Sequence, residues 1–179
     1  MARVLITGAS RGIGLATLKR FVREKHEVVA VGRDFSHFDV EGVKKIEFDL
    51  VEIEKIPTLV QEIGDIDILV NNAGIDRKNA TYDNYPEEDV KRILNVHLRA
   101  PLELMNAYAP LFKERGGRVV NVASQAAEIG HRDVWYGITK AGLVNATKSY
   151  AGLLGPFGVV INAVAPGPVE TEKIRVSPF

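Results

Sequence analysis

The chain has 179 residues, with 23 Lys plus Arg against 23 Asp plus Glu, 46% hydrophobic and 26% charged. That length and composition specify one folded domain over residues 1–179 and exclude a disordered chain, while the zero net charge disfavours nucleic acid and anionic membranes as partners. There is no cysteine, so disulfides and thiolate metal sites are excluded and any catalysis must use other groups.

Met1-Ala2-Arg3 leads straight into a strand-like run, Val4-Leu5-Ile6-Thr7, with no apolar export signal before it. No stretch approaches the ~20 apolar residues of a membrane span, and a cytoplasmic location is expected. A glycine-rich turn comes next. Ile13, Leu15, Ala16, Leu18, Phe21 and Val22 then recur at helical spacing, which leaves Lys19, Arg20, Arg23 and Glu24 for solvent.

A second apolar strand covers residues 28–31. Residues 34–42 leave room for only a turn or two of helix before a third strand at 45–48. A helix over about residues 51–63 follows, with Pro57 expected as an irregular turn within it, and then a fourth strand at 66–70. The long helical region 87–115 carries expected kinks at Pro101 and Pro110 and leads to a fifth strand at 118–122. Residues 134–154 read as a helix ended by Gly155-Pro156, and residues 159–164 as a sixth strand. Several strands are apolar almost throughout, as strands buried on both faces of a parallel sheet must be. Strands alternating with helices imply right-handed crossovers, hence an α/β, doubly wound, Rossmann-like fold with strand order 3-2-1-4-5-6.

The chemistry begins at Thr7-Gly8-Ala9-Ser10-Arg11-Gly12-Ile13-Gly14, between a strand end and a helix start. Backbone N–H groups uncovered by missing side chains, with the positive end of the helix, make such a turn a phosphate cradle. Asn71-Asn72-Ala73-Gly74 follows the fourth strand, Asn95 lies in the long helix, Ser124 follows the fifth strand, Tyr136-x-x-x-Lys140 opens the next helix, and Pro166-Gly167 follows the sixth strand. In isolation each has a plain alternative: a tight loop, a buried polar residue, a helix N-cap, or two surface residues four apart.

In this order, over residues 3–171, the set resembles the short-chain dehydrogenase/reductase family, and most of all its 3-oxoacyl-acyl-carrier-protein reductases. The resemblance implies that Ser124, Tyr136 and Lys140 are catalytic with Asn95 as the fourth member, Asn95 acting on Lys140 through water. It implies cofactor contacts at Gly8, Ser10, Arg11, Gly12, Ile13, Gly14, Arg33, Asp49, Leu50, Asn72, Ala73, Gly74, Tyr136, Lys140, Pro166, Gly167, Val169 and Thr171. It also implies a homo-oligomer, dimer or tetramer, formed through the long helices, where Ala141, Gly142, Ala146, Ala151 and Gly152 would permit close approach or equally pack on the sheet.

Residue chemistry supports the catalytic roles. Tyr136 and Lys140 are four apart and share a helix face. A phenol ordinarily ionises near about 10, and a nearby cation favours phenolate, which suits a group that gives and takes a proton near neutral pH. Ser124 would hold the substrate oxygen as charge develops on it.

In a dinucleotide fold an acid ending the second strand binds the adenosine ribose 2′-OH, whereas an arginine there accepts a 2′-phosphate. Here Gly32 holds the acidic position and Arg33 follows it, with Arg11 as a second cation. NADP(H) is therefore favoured over NAD(H), with Asp34 as the counterargument because a small shift would bring its carboxylate to the ribose.

Family members commonly extend past the Pro-Gly loop with a substrate-covering segment and a seventh strand; this sequence is expected to be truncated after Phe179, the alternative being an oligomer contact that covers the sixth strand. The resemblance points to a carbonyl or alcohol substrate, including 3-oxoacyl thioesters. Arg115 and Arg175 match carrier-protein-docking arginines, or are solvated surface charges. An NAD-dependent sugar or polyol dehydrogenase is the alternative, and a cofactor-binding regulatory protein without turnover is an alternative of another class. His26, His37, His97 and His131 have no metal-ligand spacing, so no metal is expected.

Overall fold

Six parallel strands form one sheet in the order β3-β2-β1-β4-β5-β6. They are β1 (Arg3–Thr7), β2 (Glu27–Gly32), β3 (Lys44–Glu47), β4 (Ile68–Asn71), β5 (Gly117–Val122) and β6 (Val159–Val164). The computed structural model describes residues 1–75, 82 and 84–169.

Side chains alternate across the sheet, and each face builds its own core. Val4 and Ile6 turn to one face with Leu18 and the half-buried Leu15, Phe21 and Val22 of α1 (Gly12–Arg23). Leu5 turns to the other with Ile56, Leu59 and Ile63 of α2 (Ile56–Ile63) and Leu104, Met105, Tyr108 and Phe112 of α4 (Ala100–Arg115). Leu154, ending α5 (Val134–Leu154), joins the second core. Leu5 registers with Val29 on β2 and Leu69 on β4, so β1 is central and buried from both sides. The strand order reverses between β1 and β4, and in open α/β sheets ligands bind at the carboxyl ends of strands flanking such a point. The glycine turn and Asn71-Asn72 lie there.

Three expectations need correction. Residues 33–43 form turns without helix; Phe35 is buried, its ring edge-on to Phe38 at 5.2 Å, and this packing rather than a helix closes the crossover. A 3₁₀ turn, Ile53–Lys55, precedes α2, so Pro57 sits in the first helical turn, where a missing N–H costs nothing, and not within an irregular one. The long helical region is α3 (Glu87–Leu94), a π-helical turn at Asn95–Arg99, then α4. The wide turn closes with the Ala100 N–H donating to the Asn95 carbonyl, and it precedes Pro101, which has no N–H to offer. Pro110 lies within α4. Of the small residues on α5, Ala151 packs on the second core and a Cβ on Gly142 would meet Leu98 at 3.4 Å, so both are occupied within the chain. Among the described residues no helix is long and apolar enough to cross a membrane.

Candidate functional site

The turn after β1 is shaped by backbone. Gly8 has φ +66°, and its N–H donates to the Val31 carbonyl at 2.8 Å. A Cβ on Gly14 would lie 2.2 Å from the Gly8 oxygen and 2.4 Å from Asn72 Nδ2, so only glycine lets α1 start this close to the strand end. Asn72 reaches across from β4 and donates through Nδ2 to the Thr7 and Gly8 carbonyls, at 2.9 and 3.0 Å. Thr7 Oγ1 accepts in return from the N–H groups of Asn72 and Ala73, at 3.0 and 3.1 Å. The two loops are thus clamped into one surface.

Arg11, at the N-cap of α1, makes no side-chain cap among the described residues, and the first turn holds Gly12, Ile13 and Gly14 and contains no acid. The leading N–H groups of a helix lack internal partners. With Arg11 extended and exposed just ahead of them, these donors fit the pyrophosphate of a dinucleotide.

Beside the cradle, a Cβ on Gly32 would meet Ser10 Oγ at 3.5 Å, which brings the end of β2 against the glycine turn. Arg33, Glu47, Phe48, Asp49 and Glu52 line an open cleft next to it. Asp49 Oδ1 caps its own turn by accepting from the Val51 N–H at 3.1 Å. Leu50 is buried in the second core, so only its backbone is left for a ligand. The exposed Asp34 carboxylate accepts from the Ser36 N–H at 2.8 Å. Hydrogen bonds from the Ser36 backbone and side chain hold that carboxyl below its ordinary value.

The opposite end of the site is built from side chains. Asp133, 3% exposed, caps α5 by accepting from the Tyr136 N–H at 3.0 Å, and its other oxygen accepts from Tyr85 Oη at 3.4 Å. This cap fixes the turn that carries Tyr136. Lys140, only 4% exposed, donates to the Val122 carbonyl at 2.8 Å and lies 5.8 Å from the centre of the Tyr136 ring. Ser124 Oγ accepts from the Ala126 N–H at 3.2 Å and caps the 3₁₀ turn Gln125–Ala127. The N-cap role and a substrate role are compatible, because a hydroxyl that accepts from the backbone still has its own proton to give.

Packing joins these pieces. A Cβ on Gly137 would meet the Ala126 carbonyl at 3.3 Å, so the first turn of α5 sits on the segment after Ser124. The Gln125 N–H donates to the Pro166 carbonyl at 3.0 Å, and a Cβ on Gly167 would lie 3.0 Å from Gln125 Oε1, which brings the Pro166-Gly167 loop alongside. Val169 is exposed beyond it, while Thr171 and Arg175 lie outside the described residues. Asn95, in the π turn, donates to the Val51 carbonyl at 3.0 Å and accepts from Arg99 at 3.2 Å. These bonds tie the long helix to the loop before α2.

Sequence reasoning includes Thr7 in the glycine motif without giving it a role, and misses Asp133, Thr139 and His97. Asp133 could have been found, as an acid three residues before Tyr136 at a helix start. Thr7 and Thr139 give no signal of their own. The sequence presents His97 only as a histidine without metal-ligand spacing; it is a fully buried residue whose ring stands edge-on to Tyr136, with centroids 5.4 Å apart. His131 lies on the exposed side of the same ring, at 4.9 Å.

The short chain dehydrogenase family model matches residues 2–177. Galactitol 2-dehydrogenase of Agrobacterium fabrum is 35% identical over 185 residues, covering 96% of this chain and 72% of that protein. The 3-oxoacyl-acyl-carrier-protein reductase of Thermotoga maritima is 35% identical over 189 residues, covering 97% and 76%. Among solved structures, 4-hydroxyisoleucine dehydrogenase complexed with NADH superimposes with a TM-score of 0.89 at 28% identity, covering 97% of this chain and 78% of that one. A short-chain dehydrogenase from Sphingobium yanoikuyae in complex with NADPH gives 0.86 at 29%, covering 96% and 73%. The chain belongs to the short chain dehydrogenase family, whose oxidoreductases interconvert alcohols and carbonyls with a nicotinamide cofactor. It spans about three quarters of the length of these relatives.

Proposed function

We propose that this protein reduces a carbonyl, or oxidises the corresponding secondary alcohol, with Tyr136 as proton donor and acceptor, Ser124 as the hydrogen-bond donor to the reacting oxygen, and Lys140 as the cation beside the phenol. The observation that carries this reading is the buried Lys140 ammonium near the Tyr136 ring, with the first turn of α5 packed on the segment that Ser124 caps, at the same carboxyl end of the strands as the glycine turn. The bound nicotinamide would supply or take the hydride. Tyr136 would move one proton at its Oη, and Ser124 would steady charge on the substrate oxygen through its free hydroxyl proton. Lys140, held by the Val122 carbonyl, would place its ammonium toward the nicotinamide ribose and the phenol side. Asn95 would join this set by helping to position Lys140 through water, while its side chain ties the π turn to the loop before α2.

Tyr136→Phe should leave NADPH binding intact and lower turnover about 10³-fold, within the range of a lost general acid. Unchanged turnover would overturn the assignment, and cofactor binding without turnover in the unaltered chain would favour a regulatory protein.

The cofactor in this reading is NADP(H). Arg33 and Arg11 are exposed and make no ion pair among the described residues, so both guanidiniums are available to a 2′-phosphate. Asp34 already serves Ser36. Glu47 and Glu52 in the same cleft oppose the phosphate. Arg33→Ala should weaken NADPH binding about tenfold and leave NADH binding nearly constant, as loss of a charged hydrogen bond to the phosphate requires. An NADH preference above about tenfold in the unaltered chain would remove this choice.

For substrate, similarity to the Thermotoga enzyme supports a 3-oxoacyl thioester, with an acyl carrier protein as the partner that presents it. Equal similarity to galactitol 2-dehydrogenase supports a sugar or polyol as the second reading. Turnover of a 3-oxoacyl thioester against galactitol separates them. Exposed Val134 and Ile138 on α5 support a homo-oligomer through that helix, which the molecular mass in solution tests.

A further inference from the structure

His97 is a fully buried imidazole that the scheme above does not use. Its two nitrogens face different parts of the site. The Ile75 N–H, one residue past Gly74, donates to His97 Nε2 at 2.8 Å. Since that nitrogen accepts, the ring proton must sit on Nδ1, which faces Thr139 Oγ1 at 3.1 Å. Thr139 Oγ1 in turn donates to the Tyr136 carbonyl at 2.9 Å. Every donor in this series finds an acceptor in one direction only, from the loop after β4, through the imidazole and a hydroxyl, to the backbone of Tyr136. A doubly protonated ring would set an N–H against the Ile75 N–H, so the arrangement requires the neutral form.

The ring also limits movement sterically. It stands edge-on to the Tyr136 ring at 5.4 Å and 85°, and a Cβ on Gly74 would meet Nε2 at 3.5 Å. The imidazole therefore fills the space between the loop proposed to face the nicotinamide and the phenol proposed to move the proton. The π turn Asn95–Arg99 carries it there, as such turns often do for functional side chains.

We infer that His97 is a positioning residue, a neutral Nδ1–H imidazole that sets the distance between the Gly74-Ile75 loop and Tyr136 and so couples cofactor seating to proton transfer. The inference rests on the proposed role of Tyr136, but its tautomer and its cofactor linkage are measurable without turnover.

Nitrogen-15 spectroscopy of the full chain without cofactor should show His97 with a protonated Nδ1 and a bare Nε2 from about pH 6 to 8, across the ordinary histidine range. An Nε2–H tautomer or an imidazolium would overturn the inference. Two amide replacements then divide the link, because the Asn amide falls near Nδ1 and the Gln amide near Nε2. H97Q keeps an acceptor for the Ile75 N–H and should lower kcat about tenfold more than it weakens NADPH binding, while H97N keeps the bond to Thr139 and should do the reverse; one neutral hydrogen bond is worth about tenfold. NADPH affinity is read by nucleotide fluorescence, so that half of the division stands even where turnover is too slow to measure. If both variants lose stability together while affinity and kcat change in equal proportion, His97 is core packing only and the inference fails. If Tyr136→Phe keeps full turnover while the nitrogen signature and the affinity change hold, it is the catalytic reading that fails, and not the link.

Discussion

The two halves of the sheet build the candidate site by different means. Around β1 and β2 the site is made of backbone, with Gly8 in the left-handed region, Gly14 packed against the Gly8 carbonyl, and a helix start without a side-chain cap among the described residues. Around β4, β5 and α5 it is made of buried side chains. Among the described residues nine polar or charged side chains are buried, and all but Thr7 lie at or after Asn71. A phosphate can be held by any backbone with the right curvature, whereas a proton must move at one stated atom, which calls for a side chain locked by several bonds.

Substitutions on each side should therefore fail differently. After Tyr136→Phe, the largest effect is expected from Lys140→Met, which keeps the bulk of the stem but removes the ammonium: kcat should fall about 10²–10³-fold, as for a lost charged group in the transition state, with thermal melting read alongside. Gly14→Ala should act on affinity instead, since its Cβ collides with the Gly8 carbonyl and Asn72; NADPH binding should weaken about 100-fold, nearly 3 kcal/mol by the usual conversion, with the Tyr136 end of the site unchanged in its spectra. Asn121→Ala tests the buried network itself. Asn121 accepts from Asn71 Nδ2 at 2.9 Å and donates to Thr147 Oγ1 at 2.8 Å, so the variant should lose about 2–3 kcal/mol of stability in urea melts while cofactor affinity per folded molecule stays constant. Asp133→Ala should cost about 1 kcal/mol through the lost cap and lower kcat with it.

The smallest effect concerns pH and belongs to neither half. Tyr108 is buried in the second core and donates to the Gly64 carbonyl at 3.2 Å, and burial pushes its phenol well above its ordinary value of 10.0. A group raised on folding keeps more protons in the native than in the unfolded chain once the unfolded value is passed, so stability falls as pH rises above about 10. Melting temperature against pH should show a shallower alkaline decline in Tyr108→Phe.

The fold was legible because both faces of the central strands are buried, and runs such as Val4-Leu5-Ile6 carry that fact without tertiary context. The glycine spacing was legible because no other residue tolerates the contact at Gly14. The crossover at 33–43 was not, since Phe35 and Phe38 hold it by packing and leave no periodic pattern. Nor was the π turn, because over five residues its apolar spacing cannot be told from that of an α-helix. Tyr136, Lys140 and Ser124 could be picked out by spacing and order; the groups that orient them, Asp133, Thr139 and His97, depend on contacts between segments distant in the chain.

Asn72 carries one more consequence. It grips Thr7 and Gly8 across a separation of about 64 residues, and loop closures over such distances come late when a chain acquires its structure. A peptide copied from residues 1–26 would lack the grip, and its turn would be free to splay. Refolding followed by nucleotide fluorescence should accordingly show NADPH capture only after β4 has docked beside β1, and never from the strand, turn and helix on their own.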